Sequence, residues 1–76
     1  MFYIDIRVLQ LAETYDFKLE EEVEINVLIR QITVILFGKE ETGVLFDLTG
    51  QMELCSELNL SEQGVRSGHT LLLFLC

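Results

Sequence analysis

The chain has 76 residues, half of them hydrophobic and 24% charged, with no proline and no tryptophan. That length holds one core and one domain over residues 1–76; it is too hydrophobic for a disordered chain, and two cysteines are too few to replace a core. Thirteen acids against five bases give a net charge of −8, which argues against nucleic acid as a partner and disfavours an anionic membrane surface.

Phe2, Ile4, Ile6 and Val8 alternate with Tyr3, Asp5, Arg7 and Leu9. Period two with one apolar face predicts a half-buried strand over residues 2–11. Residues 12–16 read as a polar connection, after which Phe17-Lys18-Leu19-Glu20 resumes the alternation. A hairpin therefore opens the chain, although no Asn-Gly or Asp-Gly marks its turn. Residues 23–37 carry two patterns at once. Ile25, Leu28, Ile29, Ile32, Ile35 and Leu36 fit one face of a helix, while Val23, Ile25, Val27 and Ile29 also alternate, and β-branched residues are poor helix formers. The balance falls to a helix. Its stripe is unbroken, Glu20, Glu21, Glu22 and Glu24 gather at its start, and Gly38 stands where a C-cap belongs.

Residues 38–43 read as a loop, 44–46 as a short strand and 48–50 as a turn. A weak strand and an irregular stretch follow over 52–60. Ser61-Glu62-Gln63-Gly64 predicts a single helical turn with Ser61 as its cap. Gly68 marks a tight turn into a last strand over 70–75. The N-terminus lacks the basic leader of a signal peptide. The apolar run 71–76 is far shorter than the roughly 20 residues of a spanning helix, and Cys76 is not placed as a prenylation box requires. No direct membrane insertion is expected, and two free-looking thiols make the cytoplasm the expected compartment.

Strand, strand, helix, strand, weak strand, helical turn, strand is the β-grasp order. The stretch Leu60-Ser61-Glu62-Gln63-Gly64-Val65-Arg66-Ser67-Gly68-His69-Thr70-Leu71 resembles the closing segment of ubiquitin-like domains, where Leu-Ser/Thr-x-x-Gly/Asn-Ile/Val precedes a turn and a final strand. The resemblance implies an α+β β-grasp roll: a mixed sheet of four to five strands with one main helix on one face. Leu60 and Val65 would plug the base of the core, and Gly64 and Gly68 would take backbone angles that a side chain penalises. Within the superfamily the chain looks most like the small YukD/EsaB-type proteins of bacterial type VII secretion loci. That implies a cytoplasmic accessory acting by noncovalent docking, with a membrane subunit of the secretion complex as partner. Ubiquitin and the related sulfur carriers extend past this strand to a Gly-Gly tail, whereas this chain reads Leu73-Phe74-Leu75-Cys76. Conjugation and sulfur transfer are expected to be excluded unless glycines follow. A modifier or sulfur carrier lacking its tail is the alternative, and a domain of a larger membrane subunit is a third.

No residue pattern argues for an enzyme. His69 reads as a solvent-facing turn residue, and Cys55 and Cys76 as buried or edge thiols, because two thiols and one histidine lack zinc-site spacing. The glutamates at 20–24 read as a solvated helix start rather than a cation site. No nucleotide loop or nucleophile–base pair appears, so no cofactor or metal is expected. The unusual feature is the last strand. Leu71, Leu73 and Leu75 face the helix, which leaves Leu72 and Phe74 outward on the open side of the sheet. Ubiquitin presents its main binding surface on this same face. Leu72 and Phe74 are the expected anchors for a protein partner or a second copy, with Leu9 and Arg7 beside them. From the third strand either Leu45 or the pair Val44 and Phe46 joins, depending on register, and Leu45 is the expected contributor.

Overall fold

A computed structural model describes residues 1–76. Five strands and one helix follow in the order β1 Phe2–Val8, β2 Glu13–Leu19, α1 Ile25–Phe37, β3 Gly43–Asp47, β4 Met52–Glu53 and β5 Thr70–Leu75, with a 3₁₀ turn at Ser61–Gln63. The sheet order is β2-β1-β5-β3-β4. β1 and β5 pair in parallel at its centre, and the other pairs are antiparallel. This is the mixed five-stranded β-grasp sheet with α1 packed on one face. The parallel centre needs a long crossover between its strands, and α1 lies within it.

The first strand ends earlier than its alternation suggests. Ile4, Ile6 and Val8 are buried, and the chain turns at once after Val8. The Val8 carbonyl accepts from both Leu11 N–H and Ala12 N–H, and Ala12 adopts φ 55°. β2 then starts at Glu13, inside the stretch expected to connect. All seven of its residues pair with β1, from Phe2 opposite Leu19 to Val8 opposite Glu13.

In the ambiguous segment the helical period prevails. Ile25, Leu28, Ile29 and Ile32 are buried against the sheet, and burying each such side chain contributes about 1.5–3 kcal/mol, more than the β-branched propensity penalty. Gly38 ends the helix with φ 78°, its N–H donating to the Val34 carbonyl at 2.9 Å. The start is built differently from the expectation. No acid lies in the first turn, and Glu24 makes no side-chain cap. Instead the Ile25 and Asn26 N–H groups donate to the Leu58 and Ser56 carbonyls at 2.9 and 3.0 Å, so a distant loop satisfies the helix's orphan donors. Glu21 pairs with the Met1 amino group at 2.6 Å, and this hydrogen bond and charge lower its carboxyl pKa.

Leu60 and Val65 are fully buried at the base of the core. Gly64 and Gly68 adopt φ 78° and 93°, the left-handed region where a side chain is penalised. Ser61 is not the cap of the helical turn. Asn59 takes that role, its Oδ1 accepting from Glu62 N–H at 2.8 Å while Glu62 Oε1 accepts from Asn59 N–H at 3.0 Å. This reciprocal pair is a capping box one turn long.

Candidate functional site: the open sheet face

The strand register decides which side chains reach the uncovered face. Leu71 and Leu73 of β5 are fully buried, Leu72 is half-buried, and Phe74 is 49% exposed. On one side of β5, Arg7 of β1 stands opposite Leu72. On the other side, Phe46 stands opposite Leu72 and Val44 opposite Phe74. A single row therefore crosses the sheet from Thr14 through Arg7, Leu72 and Phe46 to Glu53. Leu9 lies beyond β1, but its N–H donates to the Leu73 carbonyl at 3.0 Å. That bond continues the parallel register by one step and sets Leu9, 47% exposed, level with Phe74. Four of the five expected residues, Leu72, Phe74, Leu9 and Arg7, are thus brought together on the open face.

Leu45 is not among them. It pairs with Leu73 and is fully buried in the core, so the third strand contributes Val44 and Phe46 instead. The alternation then carries Asp47 inward, where it is 1% exposed. A carboxylate is tolerated there because its oxygens find donors. Thr49 N–H donates to Oδ1 at 3.1 Å, and His69 Nδ1 lies 3.2 Å from Oδ2. His69 is consequently a partly buried partner of Asp47 and not the solvent-facing turn residue that its position suggests. Both thiols are exposed and free, so of the two expected placements, buried or edge, the buried one does not hold. The Cys55 backbone is held on both sides by the Gln63 amide, at 2.6 and 3.0 Å.

The remainder of the face is polar. Asp5 stands between Asp16 on β2 and Thr70 on β5. The Asp5 carboxyl is held above its ordinary pKa, first by sharing a hydrogen bond with Asp16, then by loss of water and by the like charge. Lys18 lies 5.7 Å from the ring centre of Tyr3 on the neighbouring strand, a cation–π contact at an exposed site. The sheet thus divides into an apolar half, Leu9, Val44, Phe46, Leu72 and Phe74, and a charged half, with Arg7 at the boundary. Among the His, Cys, Asp and Glu side chains no group of three is placed to hold a metal ion. No helix is long and apolar enough to cross a membrane.

Solved structures place this geometry in a class. The chain is similar to a protein computationally designed on human erythrocytic ubiquitin, at 23% identity and TM-score 0.76, covering all of this chain and 92% of that one. It is similar to the ubiquitin-like domain of an Arabidopsis thaliana protein, at 16% identity and TM-score 0.76, covering 97% and 76% of the two chains. It is also similar to the EccD5 ubiquitin-like domain from Mycobacterium xenopi, at 19% identity and TM-score 0.73, covering 99% and 93%. No family model and no curated protein sequence matches. The fold is the ubiquitin-like β-grasp.

Proposed function

We propose that this domain is a non-enzymatic binding module that docks its open sheet face noncovalently on a larger protein. The observation carrying this reading is the unpartnered apolar half-face centred on Leu72 and Phe74. Monomeric surfaces seldom leave such side chains contiguous unless they are used. Phe74 is about half exposed, so completing its burial contributes on the order of 1 kcal/mol. Phe46, Val44 and Leu9 add to that, and Arg7 supplies a charged donor at the rim.

The setting that fits this module is a cytoplasmic accessory of a type VII-like secretion machine, with a membrane subunit as its partner. Two likenesses support that setting: the likeness to the EccD5 ubiquitin-like domain, and the YukD/EsaB resemblance of the sequence. The test is to tag the N-terminus, express the chain in its native cell, and recover it under native and denaturing conditions. Discrete partners retained only by native washing, membrane secretion subunits among them, are the expected result. A ladder that survives denaturation and reducing agent would overturn the reading in favour of covalent attachment.

A further inference from the structure

α1 is apolar on more sides than packing on one sheet requires. Its outer side carries Val27, half-buried, and Val34, 44% exposed, and beside them Ile35 is 70% exposed, more than any other large apolar side chain of the protein. Arg30 and Gln31 share that outer side, so its apolar residues form a small patch with a polar edge. The thirteen residues of α1 hold one charge, Arg30, and no acid, in a chain of net charge −8. The loop after the helix folds back along it, anchored by Glu41 N–H donating to Thr33 Oγ1 at 3.0 Å. Glu40 is thereby set against the helix, lining one hollow with Val27, Arg30, Gln31 and Val34. Neither the Arg30 guanidinium nor the Glu40 carboxylate takes part in any ion pair of the chain, all of which lie elsewhere.

We infer that this outer helix face is a self-association surface, and that its occupant is a second copy of the same chain. The charge pattern suits that occupant, because the one cation and the one carboxylate lining the hollow are both without an ion-pair partner and are mutually complementary. A copy related by a two-fold axis presents one charge of each sign in the complementary place. In such an isologous contact each pairing occurs twice, Arg30 with Glu40 of the second copy and Glu40 with its Arg30, around the apolar centre of Val34 and Val27. The surface lies on the opposite layer from the open sheet face, so this inference does not depend on the proposed docking there.

The test is sedimentation equilibrium over a concentration series at 0.15 M salt, with circular dichroism to confirm folding. The wild type is expected to show a monomer–dimer equilibrium. Arg30→Glu and Glu40→Arg should each raise the dimer Kd about tenfold or more, because two attractive contacts become two repulsive ones. Mixing the two variants in equal amounts should restore dimer, since each then supplies the charge the other lacks. Phe74→Asp should leave self-association unchanged. A monomeric wild type, reversals without effect, a mixture that stays monomeric, or a dimer dissolved by Phe74→Asp would each overturn the inference.

Discussion

Truncating Leu45 and Phe46 separately tests the register that builds the open face. These neighbours sit on opposite sides of one strand, Leu45 fully buried and Phe46 36% exposed. Leu45→Ala removes a core side chain packed beside Leu73, and such truncations cost about 2–5 kcal/mol including the cavity left behind. A domain of this size is stable by about 4–11 kcal/mol, so a central loss of about 3 kcal/mol takes a large share. At about 4–8 °C per kcal/mol, the midpoint should fall by about 12–24 °C. Phe46→Ala loses only the packed part of its ring, about 1 kcal/mol, and should lower the midpoint by less than half as much. Thermal melts followed by circular dichroism, with urea titrations to check the slope, read both values. A Phe46→Ala loss equal to or larger than that of Leu45→Ala would refute the register and the composition of the face with it.

Other consequences follow from particular contacts. Asp5→Asn should stabilise the fold at neutral pH. Because the Asp5 pKa is raised in the folded protein, the folded state holds its proton more tightly than the unfolded state does. The penalty is therefore present at high pH and relieved as pH falls through the folded pKa, so the mutant's advantage should shrink on acidification in melts run across that range. His69→Leu leaves Asp47 Oδ2 buried without its ring partner, and should cost about 1–3 kcal/mol in urea unfolding at neutral pH. Gly50→Ala would set a Cβ 2.5 Å from Asp47 Oδ2, a carboxylate pinned by Thr49 and His69. It should cost about 1–3 kcal/mol, and a double-mutant cycle with Asp47→Ala should show that the two losses are not additive.

Much of the fold was legible because local and long-range signals agreed. The stripe from Ile25 to Leu36 and the glycine at 38 each predicted α1, and the alternation of Leu71, Leu73 and Leu75 with Leu72 and Phe74 predicted both faces of β5. The β3 register was not legible, since Val44-Leu45-Phe46 is apolar at every position and gives no parity. Hydropathy even favours the wrong choice, because burying Leu45 also buries Asp47. What makes that acceptable is His69, 22 residues away, a contact that no sequence period encodes. The helix start misled for a similar reason: its caps are carbonyls of Ser56 and Leu58, contributed by a loop far along the chain. The Asn59–Glu62 box, by contrast, carried a readable signal in the Asn-x-x-Glu spacing before the helical turn. The edge of the helix stripe also misled: Ile35, expected on the core face with Ile32 and Leu36, is 70% exposed, and Val34 beside it is 44% exposed.

The most direct measurement of the central claim is quantitative binding of the recovered partner to wild type and to Phe74→Asp, each checked by circular dichroism. The docking account predicts an unchanged spectrum and binding reduced below detection for Phe74→Asp. Wild-type affinity in a folded Phe74→Asp variant would contradict it, and would move the binding surface off the open sheet face.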